Sequence, residues 1–576
     1  MAISRNQFSG RKALVLGDDN RSFLSVIRSL GRAGVEVHVA WYERTPQEGS
    51  IATASRYVTK RHQLPEYHQK SEDWKLALAA LMQHEKFDLV IPCSDPFLIP
   101  LQQHRDVFEP LGQIYLLDNL VYGTVFDKFK MNEMARANGV NTPNEALVTR
   151  YQDAGTVLAQ MRLPVVLKPQ CSFSEADVGM RHCVKKAYSR DEFYRLIGEY
   201  LVSGPVAVQE NFIGQGVGVE LLLLDGKALM TFQHVRLHEP LYGGGSSYRQ
   251  GVEVDQRLLG AALALLSPLR YSGVAMVEFK VNEATGEWVF IEVNARFWGS
   301  LPLAIASGAD FPLGLFAMLV EGKTDFATKY RKGLCCRNWT YDFYWQALNV
   351  KADHSDRTLC TMPLTSVFVE TARNLLTLRE RSDTLTLDDP RPGLAEISSL
   401  LALLLVGIRS RISRIYKHLP FIRKRAMLDA HRAAAKANTV LFVCKGNICR
   451  SPFAAVMASK MTTKSFSSAG YLGPDHRKSP DAAQRAAQRF GVDLSDHESV
   501  LLTDEIVNSA DVIFVFDIQN REHLLQHYPC VKRRVHLLGA LETDGPLAVA
   551  DPWGGSTEDF EETYIRIHAL LRSCFR

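Results

Sequence analysis

The sequence predicts an α/β multidomain protein, on three observations. Short apolar runs alternate with helical patterns over the first 125 residues, strand-rich blocks follow between 126 and 330, and a strand–loop–helix pattern opens a small domain at 438. At 576 residues the chain is too long for one core. A hydrophobic share of 46% and a charged share of 23% are ordinary for a globular chain. The net charge of +4 gives no basis for a general nucleic-acid binder, because acids nearly match bases. The ten cysteines lack the paired spacing of a zinc site, and Cys335 and Cys336 are adjacent. A reducing cytoplasm is therefore the expected compartment. The start, M-A-I-S-R-N-Q-F-S-G-R-K, has positive charge without a following apolar region, so no secretory signal is expected.

In the first block, R-K-A-L-V-L-G-D-D-N (11–20) reads as a buried strand opening a turn, followed by a helix from Ser22 to Ala33. V-E-V-H-V-A-W (35–41) and F-D-L-V-I-P (87–92) supply two more strands, with a helix over Lys75 to His84 between them. Such alternation predicts a parallel sheet with helical covers. No G-x-G-x-x-G follows the first strand, so no dinucleotide site is expected.

From 126 the pattern changes. Residues 127–143 read as an amphipathic helix closed by Gly139 and a turn at Pro143; 163–169 and 205–226 are strand-rich. Residues 273–296 read as a hairpin with its turn at Asn282 to Glu287. Glu292 and Asn294 are two apart and share one face of their strand, with Glu278 on the neighbouring strand. Both acids sit inside apolar runs, V-A-M-V-E-F and V-F-I-E-V, which sets them apart from the solvated face of an ordinary hairpin. Oxygen ligands gathered on one face suit Mg2+ bridging polyphosphate oxygens.

Residues 1 to about 330 resemble the ATP-grasp superfamily, especially its carboxylate-amine ligases with a preceding nucleotide-fold-like domain. The resemblance assigns Lys128 and Lys168 to the phosphates of ATP. Q-E-N-F-I (209–213) becomes the adenine hinge, with Glu210 and Ile213 as contacts. Glu278, Glu292 and Asn294 become the magnesium ligands, and Arg296 the group that steadies the transferred phosphoryl. In place of the family's glycine-rich loop stands Q-C-S-F-S-E-A-D-V-G-M (170–180). Ser172, Ser174 and Gly179 supply amide donors there, while Glu175 and Asp177 bring negative charge toward the triphosphate. Y-G-G-G-S-S-Y-R-Q (242–250) has two readings: a loop over the acceptor with Arg249 available to a carboxylate or acyl phosphate, or a flexible surface loop.

Residues 391–408 contain an apolar segment too short to span a bilayer, and a basic, apolar-interleaved segment follows it. One reading is peripheral contact with an anionic membrane through this basic linker; the other is a cap helix followed by a charged interdomain helix.

V-L-F-V-C-K-G-N-I-C-R-S-P (440–452) carries the most specific chemistry. A turn between Cys444 and Arg450 can point backbone N–H groups inward as an anion nest, with a helix starting near Ser451. Arg450 adds a planar fork for two phosphoryl oxygens, and these positive groups favour Cys444 as a thiolate nucleophile. Gly446 allows close backbone approach and Asn447 can tie the loop. The pattern resembles the phosphate loop of low-molecular-weight protein tyrosine phosphatases. That resemblance implies a doubly wound sheet, a phosphocysteine intermediate and a catalytic set of Cys444, Arg450, Ser451 and Asp551, the last as general acid in D-P-W-G-G-S (551–556). It reads F-S-S-A-G (466–470) as a family turn, and Cys449 as a partner for a protective disulfide with Cys444. Trp553 and Lys445 would rim the cleft.

The expected organisation is a pre-ATP-grasp α/β domain (1–125), an ATP-grasp domain (126–330), a cap and basic helical linker (331–437) and a phosphatase domain (438–576). The expected function is bifunctional: an ATP- and Mg2+-dependent ligase joining a small-molecule carboxylate to an amine, and a phosphatase acting on a phosphorylated small molecule or a phosphotyrosine protein. The alternative is a regulatory tyrosine phosphatase, for example in polysaccharide biosynthesis, with a nucleotide-binding module that does not ligate.

Overall fold

A computed structural model describes residues 7–43, 50–68, 72–173, 178–179, 181–241, 244–327, 329–356, 358–359 and 361–575, without the side chains of 375 and 406–418. The chain forms two compact units, Met1–Ala402 and Leu403–Arg576.

The first unit is built on three sheets. β1 (Lys12–Leu16), β2 (Glu36–Tyr42), β3 (Val58–Leu64) and β4 (Leu89–Pro92) form a parallel sheet in the order β3-β2-β1-β4. β1 and β4 are almost wholly buried, as apolar strands covered by helices must be. β3, V-T-K-R-H-Q-L, was not legible: its polar side chains mark an edge strand, and it has no continuous apolar run. Asp19 accepts from the backbone N–H groups of Arg21, Ser22 and Phe23, fixing the start of the helix Ser22–Arg32 after β1.

A small antiparallel sheet, order β5-β8-β6-β7, contains β5 (Glu145–Val148), β6 (Val165–Pro169), β7 (Lys185–Ala187) and β8 (Val206–Glu210). The third sheet has seven strands: β9 (Gln215–Leu224), β10 (Lys227–His238), β11 (Tyr248–Val252), β12 (Gly273–Val281), β13 (Trp288–Asn294), β14 (Cys335–Arg337) and β15 (Glu380–Ser382). Their order is β13-β12-β9-β10-β11-β14-β15, antiparallel except for β14 with β15. The expected hairpin is β12–β13, closed by Asn282 N–H to the Glu287 carbonyl at 2.8 Å.

The second unit has a parallel sheet, order β17-β16-β18-β19, of β16 (Thr439–Cys444), β17 (Ser465–Gly470), β18 (Val512–Val515) and β19 (Val535–Leu537). Residues 466–470, read above as a turn, are therefore part of a strand, and β17 pairs with β16 through Cys444 and Gly470.

The expected cap and linker, 331–437, is divided differently. β14 and β15 extend the large sheet of the first unit, whereas the helix Pro420–Lys436 packs on the second unit. Ala430 and Ala434 on that helix are fully buried, and Arg423 donates to the carbonyls of Glu542 and Gly545. Small side chains let this basic helix lie close on the sheet's cover, a role its charge conceals. Among the described residues no single helix is long and apolar enough to cross a membrane.

Candidate active sites

In the first unit a cavity of about 760 Å³ opens between the sheets, large enough for a nucleotide and a small substrate. Lys128, Lys168, Glu210, Glu278, Glu292, Asn294 and Arg296 all line it. An adjoining space of about 290 Å³ shares Lys128, Glu292, Asn294 and Arg296. Lys128 is the first residue of the helix Lys128–Ala137, whose start Asp127 caps through the N–H groups of Phe129 and Lys130.

The β12–β13 pair carries an irregularity at the site. Glu278 faces Glu292, but Phe279 faces Phe290, so Ile291 is the extra residue of a bulge. Lys168 Nζ, on β6, lies 3.4 Å from the Ile291 carbonyl. Burial, aided by neighbouring Lys128 and opposed by Glu292, Glu145 and Glu278, pushes the Lys168 ammonium down to about 8. Burial acts to raise the Glu292 carboxyl, yet Lys128, Lys168, Arg296 and Arg236 together hold it below the usual range. Glu278 pairs with Arg236 at 2.6 Å and accepts from Asn294 Nδ2 at 3.0 Å. Arg296 donates through Nε to Asp95 at 2.7 Å, so the helix Asp95–Gln103 that follows β4 contributes to the same wall. Neither Arg236 nor Asp95 was singled out from the sequence, since nothing local marks them.

Two expectations are corrected. Ile213 is 52% exposed and does not line the cavity; β8 ends at Glu210 and the turn presents Asn211 and Phe212 instead. Arg249 is fully buried and ion-paired with Asp383 at 2.5 Å, so it is not available to a substrate. Of the 170–180 segment, Ser172 and Gly179 line the cavity, while Ser174, Glu175 and Asp177 lie outside the described residues, as do Tyr242 and Gly243 of the glycine cluster.

The donor set fits a magnesium–nucleotide complex by its chemistry: two lysines for phosphate oxygens, beside hard carboxylate and amide oxygens. Among the described residues no group of three or more His, Cys, Asp or Glu side chains is placed to hold a metal ion by itself. Glu278, Glu292 and Asn294, the three expected ligands, all line the cavity.

In the second unit, β16 delivers Cys444 to a loop that turns into the helix Arg450–Ser459. Cys444 is 3% exposed; its Sγ lies 3.0 Å from Ser451 Oγ and accepts the Asn447 N–H at 3.3 Å. Asn447 is buried at φ 52°, a left-handed conformation that its own side chain braces. Its Nδ2 donates to Ser451 and Ser468 Oγ, both at 2.9 Å, and its Oδ1 accepts from Val500 N at 2.8 Å. The glycine that the loop requires is Gly470 rather than Gly446. A Cβ at Gly470 would lie 2.8 Å from Asn447 N, whereas one at Gly446 would meet nothing closer than 3.4 Å.

Arg450 is 1% exposed. Nη1 donates to Asp517 at 2.8 Å and to the Val549 carbonyl at 3.0 Å, and Nη2 donates to Asp551 at 2.7 Å. Asp551 is thus at the loop, as expected, while Asp517, a second anchor of the arginine, was missed. Its signal was its place at the carboxyl end of β18, just before a helix. Burial pushes the Cys449 thiol far up, with Cys444 and Asp551 adding to the effect. Lys445 and Trp553 are exposed beside the loop and the acid.

Comparison with known proteins agrees with this geometry. The model of the low molecular weight phosphotyrosine protein phosphatase family matches residues 439–576, and that of the carbamoyl-phosphate synthase L chain ATP-binding domain matches 251–313. The chain joins an ATP-grasp region to a low molecular weight phosphotyrosine phosphatase domain. The phosphatase part is 31% identical over 136 residues to a low molecular weight protein-tyrosine-phosphatase of Acinetobacter johnsonii, covering 23% of this chain and 91% of that one. It is 28% identical over 139 residues to a protein-arginine-phosphatase of Bacillus subtilis, again 23% of this chain and 91% of the relative. The ligase-like part is similar to the L-amino acid ligase structure from Bacillus licheniformis, at 17% identity and a TM-score of 0.42, covering 54% of this chain and 75% of that one. The chain thus carries a phosphatase-family domain and, ahead of it, a match to an ATP-binding domain.

Proposed function

We propose that the ATP-grasp region joins a small-molecule carboxylate to an amine, and that the second domain hydrolyses phosphomonoesters through phosphocysteine. The observation that carries the first half is Lys168: a buried cation beside the bulged carbonyl of Ile291 and close to Glu292, on the wall of a cavity of nucleotide size.

In this reading Lys128 and Lys168 hold the phosphates, and Glu210 at the end of β8 takes the adenine edge. Magnesium, bound by Glu278, Glu292 and Asn294, would offset phosphate charge. Arg296, anchored by Asp95, steadies the acyl phosphate formed when the substrate carboxylate attacks the γ-phosphorus. The amine then attacks the acyl carbon, the C–O bond to phosphate breaks, and an amide, ADP and phosphate result. The protein's part is positioning and charge stabilisation.

In the phosphatase domain, Ser451 and the Asn447 N–H stabilise the Cys444 thiolate. As a phosphomonoester monoanion enters, Arg450 exchanges carboxylate oxygens for phosphoryl oxygens; the freed Asp551 takes the ester's proton and returns it to the leaving oxygen as the P–O bond breaks and Cys444 Sγ bonds to phosphorus. Asp551 then activates water against phosphocysteine. Its substrate is a phosphorylated small molecule or a phosphotyrosine protein.

ADP release by the full chain should require both an acid and an amine and vanish in Glu292→Ala. ADP release indifferent to acid and amine panels would contradict the ligase assignment.

A further inference from the structure

A loop that turns N–H groups inward toward an anion must turn carbonyls outward, where each needs a donor. The carbonyl of Lys445 accepts from the N–H groups of Tyr471 and Leu472 at 3.0 and 2.9 Å, that of Asn447 lies 2.7 Å from His497 Nε2, and that of Cys449 accepts from the Tyr564 hydroxyl at 3.2 Å. The Gly446 carbonyl accepts from Arg477 Nη2 at 2.9 Å, and among the described residues no other group donates to it. This peptide has something its neighbours lack at its other end. The Asn447 N–H, in the same peptide plane, donates to Cys444 Sγ at 3.3 Å. Guanidinium, peptide and sulfur therefore make one chain, N–H···O=C–N–H···S, with a cation at one end and the nucleophile at the other.

Arg477 is fixed from the segment after β17. Its N–H donates to Ser499 Oγ at 2.9 Å, its Nε to the Pro474 carbonyl at 2.8 Å, and its Nη2 also to the Leu472 carbonyl. Among the described residues it has no carboxylate at ion-pair distance. The acids nearest in the fold are committed elsewhere, Glu498 to His476 and Lys478 and Asp475 to the Leu501 N–H. Arg450 rests on Asp517 and Asp551, so its charge is offset until phosphate arrives, whereas that of Arg477 is not. The field of Arg477 reaches Cys449, whose thiol it and Arg450 pull down against the larger effect of burial. We propose that Arg477 is a positioning residue of the phosphatase reaction, stabilising the Cys444 thiolate through the Gly446–Asn447 peptide before substrate binds. Polarising a peptide at its oxygen strengthens the hydrogen bond its N–H gives, and an anionic sulfur gains more from that bond than a neutral one. The other charged or titratable groups facing the nucleophile are Arg450, Asp517, Asp551, Cys449, Tyr471 and Tyr564, with Lys445 next in the chain. The assignment rests on the phosphocysteine reading above and adds a residue to it.

The test follows the pH dependence of Cys444 alkylation by iodoacetamide in the full chain, read on its peptide by mass spectrometry, with p-nitrophenyl phosphate hydrolysis in parallel. Arg477→Met should move the alkylation midpoint to higher pH and slow the reaction at the acid end about 3- to 10-fold, with kcat/KM falling alongside. Arg477→Gln keeps an N–H donor without the charge and should behave like Arg477→Met, whereas Arg477→Lys should recover most of the loss. A brace without an electrostatic role would change the melting temperature and leave the midpoint where it was. The comparison of Gln with Lys decides the matter even where Arg477→Met fails to fold. An unmoved midpoint in Arg477→Met or Arg477→Gln, or recovery by Gln and not by Lys, overturns the assignment. Hydrolysis absent from the unsubstituted chain, or surviving in Cys444→Ser, overturns the phosphocysteine reading, and this assignment with it.

Discussion

The two candidate sites are held together by different means. In the second unit the nucleophile, the anion loop and the arginine fall between Cys444 and Ser451, so one strand, one loop and one helix suffice. Asn447 braces that loop through its own side chain. In the first unit, Lys128, Lys168, Glu278 and the Glu292–Arg296 segment come from separate elements, and Asp95 reaches Arg296 from the helix that follows β4. The phosphatase-domain site is a local object; the cavity site of the first unit exists only when the register of β12 on β13 is correct. Their cations differ as well. Arg450 already rests on two carboxylates, whereas Lys168 is buried and, among the described residues, has only a carbonyl within hydrogen-bond distance.

The largest expected effect probes the exchange at Arg450. Asp551→Asn should lower kcat on phenyl phosphate by about 10²–10⁴-fold, and less on p-nitrophenyl phosphate, whose leaving group needs a proton less. An equal loss on both esters would mean that Asp551 does not act as the acid.

Smaller is the effect that separates local from dispersed construction. Asn447→Ala strips three hydrogen bonds from a buried loop and should cost the phosphatase unit about 2 kcal/mol, read by denaturant unfolding. Phosphatase turnover should fall with it while ADP release is untouched. Loss of both activities would show that the sites are not built independently.

The smallest expected effect is a proton count. Lys168 titrates near 8 in the folded chain, against an ordinary 10.5. Above about 8 the folded chain releases a proton that the unfolded chain keeps, so this lysine's cost to stability diminishes as pH rises through that window. Phosphate binds the cationic form, so ATP binding should take up a fraction of a proton near pH 8 to 9, and affinity should fall as pH rises further. Calorimetry in two buffers of different ionisation enthalpy measures the uptake; Lys168→Met should abolish it, and equal uptake in that variant would remove Lys168 from the phosphate site.

The same contrast explains what could be read from the sequence. C-K-G-N-I-C-R-S was legible because its residues are contiguous in chain and in space. Glu278, Glu292 and Asn294 were legible because strand alternation fixes faces and their apolar neighbours predict burial. The bulge at Ile291 was not, because a one-residue shift in pairing leaves no compositional mark. Arg249 misled: beside glycines it read as free, but its partner Asp383 lies 134 positions away. Gly470 was visible only as part of a family pattern, since the atoms it would crowd belong to the loop of the neighbouring strand. The helix Pro420–Lys436 read as a charged linker because its buried alanines carry little hydrophobic signal.

The most direct test of two independent chemistries on one chain is a double dissociation in the full-length protein. ADP release with acid and amine, and p-nitrophenyl phosphate hydrolysis, are measured for Glu292→Ala and Cys444→Ser. Glu292→Ala should lose the first and keep the second, and Cys444→Ser should do the reverse. Hydrolysis surviving in Cys444→Ser, or ADP release surviving in Glu292→Ala, would contradict the account.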